Sequence, residues 1–208
     1  EDLVARLQVT TRGLDIRPAR PNAVLLLIDE ARQADAELCE IIAAQLFGAA
    51  DRVIDIDLGQ MLNGEDITRL LGAPPAYVGY GDTLPLHQLI QTPWCVLRLD
   101  NIDACHPNIR GIVGRALEEG FFTDSQGRRI YVSDAVVVLT AQVEIGTGGR
   151  IGFEATGGTR ADRGREVAQT AIGSDLVEQC DLVCCERGTP NEGPGEGTAH
   201  GMAALLSE

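Results

Sequence analysis

The feature that most constrains this chain is a succession of short, unbroken apolar runs separated by amphipathic stretches. Residues 24–28 read Val-Leu-Leu-Leu-Ile, and residues 135–140 read Ala-Val-Val-Val-Leu-Thr. Neither run alternates apolar with polar, so a strand built from either is buried on both faces. Strands of that kind belong to sheets with helices on both sides, and the intervening segments supply the helices. Residues 35–47 place Leu38, Ile41, Ile42 and Leu46 on one helical face, with Asp35 suited to the N-cap and Gly48 just beyond the end. Residues 52–58 and 94–100 read as two further strands, the second ending on Asp100. Residues 67–71 form a short helix, and residues 106–119 a longer one opened by Pro107 and closed by Gly120. Asp124-Ser125-Gln126-Gly127 turns residues 121–132 back as a hairpin. Residues 146–165, rich in Gly, Thr and Arg, read as a loop. A short helix follows at 168–179, then a last strand at 182–185. The expected fold class is α/β, a mainly parallel sheet in a three-layer arrangement.

Composition narrows the function. A chain of 208 residues is long enough for one full core. A net charge of −14 argues against nucleic acid and anionic lipid as partners, because both demand a basic surface. No apolar run approaches the 18 residues of a membrane span, and Glu1-Asp2 opens no secretory pattern, so the expected location is cytoplasmic. The absence of an initiator Met suggests processing or excision from a longer protein. The six cysteines (Cys39, Cys95, Cys105, Cys180, Cys184 and Cys185) show no C-x-x-C spacing. Buried reduced thiols are the favoured reading over a zinc site on Cys105 and His106, and no metal is expected. All 17 basic residues are arginine. No lysine ammonium is therefore present to hold phosphate, form a Schiff base or act as a base.

Residues 70–80, Leu-Leu-Gly-Ala-Pro-Pro-Ala-Tyr-Val-Gly-Tyr, closely resemble the L-x-G-A-P-P-G-Y-V-G-Y pore loop of Clp-type AAA+ unfoldases and disaggregases, with Ala76 in place of a glycine. Other pieces follow in that family's order. Arg20-Pro21 resembles the lead-in to its first strand, and residues 37–48 the helix after its phosphate loop. Residues 99–107, Leu-Asp-Asn-Ile-Asp-Ala-Cys-His-Pro, resemble L-D-E-I-E-K-A-H-P. Residues 122–128 match L-T-D-G-Q-G-R, and residues 138–142 resemble the strand that ends in T-S-N. The resemblance covers about residues 18–186 and is to a second-ring type ATPase domain. It implies the large α/β domain of the P-loop NTPase-like AAA+ fold over residues 1–186. Residues 187–208 then form a Gly/Pro/Glu-rich flexible tail, and the small helical lid domain is absent.

The nucleotide-handling positions depart from the family. Where it has G-x-x-x-x-G-K-[ST], this chain reads Asp29-Glu30-Ala31-Arg32-Gln33-Ala34-Asp35-Ala36. Both glycines are gone, Asp35 stands at the lysine position and Ala36 at the hydroxyl position. A carboxylate at a helix N-terminus suits the helix dipole but repels a triphosphate, at about 4 kcal/mol for two charges ~4 Å apart in a medium of effective dielectric ~20. Asp100 keeps the carboxylate that holds Mg²⁺ through water in the family. Asn101 replaces the glutamate that polarises the attacking water, and an amide cannot accept that proton. Gln142 stands at the asparagine that senses γ-phosphate, and Gln179 at the arginine finger.

The resemblance thus implies a catalytically inactive AAA+ pseudo-ATPase with no expected cofactor. It would act as a structural or protein-interaction module within a chaperone-like or secretion-associated assembly, with a protein partner or Clp-like subunits. The alternative is an ATP-binding, Mg²⁺-dependent Clp-type chaperone that remodels proteins. Tyr77, Val78 and Tyr80 are the candidate partner contacts. Packing of the loop is the competing reason for their presence, and it is favoured because gripping without hydrolysis does no work. His106 reads as a helix-start residue rather than a base. Asp57 and Asp100 lie at strand ends without a nucleophile, and Arg160, Arg163 and Arg165 read as a solvated loop.

Overall fold

The computed structural model describes residues 19–29, 35–143 and 160–186. Five strands form one sheet in the order β2-β3-β6-β1-β7: β1 (Ala23–Asp29), β2 (Val53–Asp57), β3 (Val96–Asp100), β6 (Val136–Ala141) and β7 (Leu182–Glu186). Every pairing in it is parallel. The central β6 is buried at all six positions, as its unbroken apolar run requires. A separate antiparallel hairpin pairs β4 (Phe121–Thr123) with β5 (Arg129–Tyr131).

Two apolar cores lie on the two faces of the sheet. On one, α1 (Asp35–Phe47) presses Leu38, Cys39, Ile42 and Ala43 onto Leu25, Leu27, Val96, Val136 and Val138. The larger core lies on the opposite face. There α4 (Pro107–Glu119), α5 (Arg160–Ile172) and α6 (Ser174–Val177) bring Ile109, Val113, Leu117, Ala168, Ile172 and Leu176 against Leu26, Leu97, Leu99 and Leu139. The short helices α2 (Thr68–Leu71) and α3 (Gln88–Gln91), each entered through a 3₁₀ turn, add Leu70 and Leu89 to that core. Each fully buried Leu, Ile or Val contributes about 1.5–3 kcal/mol, so the sheet is held from both sides as expected for three layers.

Local signals set most boundaries. The His106 ring nitrogen Nδ1 accepts the Asn108 N–H, Pro107 sits at the first turn of α4, and Gly120 ends it with φ 84°. Gly48 follows α1 with φ 78°. Asp35 is the first residue of α1, one position inside the expected cap. The larger difference lies near the C-terminal side of the sheet. Residues 160–165, expected in a loop, open α5; residues 144–159 lie outside the described residues. Val167, Ala168, Ala171 and Ile172 repeat at helical spacing, and arginine is a good helix former whose charge masked that periodicity. Arg160, Arg163 and Arg165 are therefore helical, not loop, residues. The single helix expected at 168–179 is split at Gly173, whose φ of 94° takes the backbone out of the helix between α5 and α6. The expected tail, residues 187–208, lies outside the described residues, so the structure bears on neither its flexibility nor its boundary.

Candidate functional site

Topology marks where a site belongs. From β1 the chain crosses over α1 to β2 at the far edge, whereas from β6 it crosses the other face to β7 on the opposite side of β1. The crevice outside the C-terminal ends of β1 and β6 is therefore the switch point at which open α/β sheets bind ligands. Asp29 closes β1 there and Asp35 opens α1 beyond it. Arg32 and the rest of 30–34 lie outside the described residues, and Ala36 is exposed. Gln142 follows β6, exposed, with its backbone N–H on Asp103 Oδ1 at 3.0 Å.

Asp100 and Asn101 meet this edge from β3, and strand register brings Asp57 of β2 beside Asp100. Asn101 is tightly held. It is buried, its φ of 57° lies in the left-handed region that side chains other than Gly, Asn and Asp avoid, and its N–H donates to Thr140 Oγ1 at 3.1 Å. Its side chain points inward, Nδ2 donating to Asp57 Oδ1 at 2.8 Å. Gly59 makes the space: a Cβ there would lie 2.8 Å from Asn101 Cβ. Asp57 also accepts from Gly59 N at 2.9 Å and Gln60 Nε2 at 3.0 Å.

Asp100 is equally occupied. One carboxylate oxygen accepts the Thr140 hydroxyl, and the other accepts Arg98 Nη2 at 3.0 Å. Arg98 Nη1 reaches Asp55 at 3.2 Å, in register on β2. Burial lifts the Asp55 carboxyl above its ordinary range; Arg98 opposes the rise, and Asp100 and Asp57 add to it. Arg98, Thr140, Asp55 and Gly59 were not singled out from sequence. The available signal was parity: Asp55, Asp57, Arg98 and Asp100 all fall on the α1 face of their strands, and an arginine inside an apolar strand requires an anion.

Gln179 stands elsewhere. It follows α6 at the N-terminal end of the sheet, where its carbonyl accepts Arg20 Nη2 and Asp181 accepts the Val24 N–H at 2.8 Å. Strands of five and seven residues put that end about 16–23 Å from Asp100. The structure thus brings Asp29, Asp100, Asn101 and Gln142 to one edge and leaves Gln179 on the other, beside an open cleft of about 380 Å³ lined by Arg110, Arg115 and Leu176. Cys105 donates from Sγ to Ile102 O while His106 caps α4, so the two do not converge. Among the described residues no cluster of three or more metal-ligating side chains occurs. Cys39, Cys95, Cys105 and Cys180 are buried and form no disulfide.

The loop at 72–81 projects from α2. Tyr77 is 71% exposed and Val78 fully so, with Tyr80 about half exposed. Successive turns shape it, through Tyr77 N to Pro74 O at 3.1 Å and Tyr80 N to Tyr77 O at 3.2 Å. Ala76 holds φ 73°, the left-handed conformation that a glycine would adopt without cost. The base of the loop rests on the hairpin turn: Ser125 N donates to Leu71 O at 2.7 Å, and a Cβ on Gly72 would meet Ser125 Oγ at 2.7 Å.

A family model described as AAA domain (Cdc48 subfamily) matches residues 20–153. The chaperone protein ClpD1, chloroplastic, of Oryza sativa subsp. japonica is 33% identical over 127 residues, 61% of this chain and 14% of that protein. The ATP-dependent Clp protease ATP-binding subunit ClpE of Streptococcus pneumoniae serotype 4 is 31% identical over 140 residues, 66% of this chain and 19% of its own. Chaperone protein ClpB of Pseudomonas putida is 32% identical over 127 residues, covering 61% and 15%. The chain thus spans less than a fifth of each of these relatives. Among solved structures, a closed-state cryo-EM reconstruction of Hsp104 with ATPγS and FITC casein superposes with a TM-score of 0.71 at 21% identity, over 88% of this chain and 32% of that one, which shows the shared fold. With more than half of its length under that family model and a parallel sheet of the matching architecture, this chain belongs to the AAA domain family (Cdc48 subfamily), in its Clp type.

Proposed function

We propose that this domain is a non-hydrolysing member of the Clp-type AAA+ family, serving as a structural or protein-interaction module in an assembly of Clp-like subunits. One observation carries the reading: Asn101, at the position of the water-polarising glutamate, is a buried amide folded onto Asp57 and unable to take a proton. The sequence around it agrees. No lysine exists to bridge phosphates, the phosphate-loop glycines are missing, and aspartates stand at 29 and 35, the end of β1 and the start of α1. Gln142 and Gln179 are amides at the remaining two nucleotide-handling positions. Seven positions of the family's nucleotide-handling pattern (29, 34, 35, 36, 101, 142 and 179) are altered while the loop at 72–81, the His106-Pro107 helix start and the Asp124 turn keep the family's pattern.

The second reading, an ATP-binding chaperone ATPase that remodels proteins, is favoured by the exposed Tyr77, Val78 and Tyr80, which present apolar surface in the manner a polypeptide contact needs. Titration with Mg-ATP separates the two. The proposed function expects neither saturable binding in the micromolar range nor phosphate release. Micromolar binding overturns it, and phosphate release above background establishes the second. Light scattering of the chain alone and with Clp-type subunits then tests assembly, with a larger mixed species as the expected result.

A further inference from the structure

The resemblance assigns Asp100 to hold Mg²⁺ through water, so the donors around it decide whether the residues present fit that ion. They do not. Asp100 Oδ1 is taken by the Thr140 hydroxyl and Oδ2 by Arg98 Nη2 at 3.0 Å. Its register partner Asp57 is taken on both oxygens, by Asn101 Nδ2 and Gly59 N on one and Gln60 Nε2 on the other. Divalent ions of this class need several oxygen ligands that are free to turn toward them. Here every carboxylate oxygen of the pair already accepts a donor from the chain. The guanidinium is also well placed electrostatically. Arg98 lies one pleat below Asp100 and directly beside Asp55, forks between the two, and has only 14% of its side chain exposed against 22% for Asp100. A fixed cation in that position neutralises the same carboxylate that a metal would, and it cannot dissociate.

We propose that Arg98 is a built-in counter-cation which, with Thr140, completes the Asp100 edge of the sheet and excludes a divalent metal ion from it. This rests on the non-hydrolysing reading and deepens it, because it supplies a reason why the edge is stable without metal or nucleotide. The natural chain therefore binds no Mn²⁺ at this edge. Removing the guanidinium with Arg98→Leu takes away the cation shared by Asp55 and Asp100, beside Asp57, and creates a weak cation site.

The test titrates Mn²⁺ without nucleotide, reading free ion by electron paramagnetic resonance and Tm by calorimetry. In the natural chain, the expected result is no Asp100-dependent binding and no rise in Tm. In Arg98→Leu, Mn²⁺ at about ten times its Kd raises Tm by about 3–6 °C, and adding Asp100→Asn abolishes the rise. A folded Arg98→Leu chain that ignores Mn²⁺ overturns the proposal. So does one Mn²⁺ bound per natural chain and lost on Asp100→Asn. Should Arg98→Leu fail to fold, Asp100→Asn in the natural background decides alone. A carboxylate paired with Arg98 costs Tm when removed, by about 4 °C or more, whereas a carboxylate awaiting metal among like charges raises Tm when removed. The two failures read separately: Mn²⁺ bound without phosphate release overturns the counter-cation alone, and phosphate release overturns the reading beneath it.

Discussion

Replacing Asp124 with alanine is expected to destabilise the fold by about 3 kcal/mol. Asp124 is buried at the hairpin turn, where Oδ1 accepts Gln126 N and Arg128 N, each at 2.9 Å. Oδ2 accepts Arg128 Nε at 2.8 Å and faces His87 Nε2 at 3.3 Å. Hydrogen bonds to a charged group are each worth about 1.5–3 kcal/mol. Arg128, half exposed, recovers much of its share from water, so the sum falls well below three full bonds. Asparagine keeps an acceptor for the turn but loses the charge, and is expected to cost about 1 kcal/mol. For a domain of this size those figures correspond to falls in Tm of about 6–12 °C and about 2–4 °C, measured by calorimetry with urea midpoints alongside. The pH dependence has a definite sign. Burial alone would raise the Asp124 carboxyl, but the Arg128 and Gln126 N–H groups and the Arg128 charge hold it below its ordinary value. Its contribution is therefore fully present above the unfolded carboxyl range, near pH ~4, and disappears as the pH falls through the folded value. The gap between the natural chain and Asp124→Asn should close on acidification. A gap that is absent at pH 7, or that widens in acid, would refute the assignment of this carboxylate as the anchor of the turn.

Two further predictions use the glycines and the thiols. Gly120→Ala should abolish soluble expression or shift the urea midpoint by more than about 3 kcal/mol equivalent, because a Cβ would lie 1.6 Å from Ala19 O at φ 84°. Gly173→Ala, with φ 94° and open space around it, should cost only about 1–3 kcal/mol. Burial pushes the Cys95 and Cys105 thiols up to about 11 and Cys180 up to about 12. At pH 8 each is thus ~0.1% thiolate or less, and iodoacetamide should modify these three in urea but not in the native protein, as peptide mass mapping would show.

The sheet was legible because buried parallel strands announce themselves as unbroken apolar runs. The Val-rich β6 and the Leu-rich β1 could hardly be anything else. The helices with strong punctuation, α1 before Gly48 and α4 between Pro107 and Gly120, were legible to within a residue. The start of α5 was not, because its apolar stripe is narrow and its first turns carry Arg160, Arg163 and Gly164, which composition alone assigns to a loop. At the site, motif positions located Asp100, Asn101 and Gln142 but not what they bond. That depends on register: only the pairing of β2 with β3 places Asp55 beside Arg98 and Asp57 beside Asp100. Nor could sequence separation tell that Gln179 falls at the opposite end of the sheet from the other three positions.

The proposed loss of nucleotide chemistry leaves the family's architecture standing. Each end of the sheet is closed by an arginine of the chain itself. At the C-terminal edge, Arg98 and Thr140 take up Asp100; at the N-terminal end, Arg20 holds the Gln179 carbonyl beside the Asp181–Val24 contact. A buried carboxylate that relies on a bound ion makes stability depend on that ion's concentration, since the folded state gains only RT ln(1 + [L]/Kd). A carboxylate paired within the chain carries no such dependence. The exposed loop at 72–81 is supported separately, by the Ser125 and Asp124 turn. The proposed loss of hydrolysis and the persistence of the Tyr77 surface are therefore compatible in one fold, because the two regions are held by separate sets of bonds.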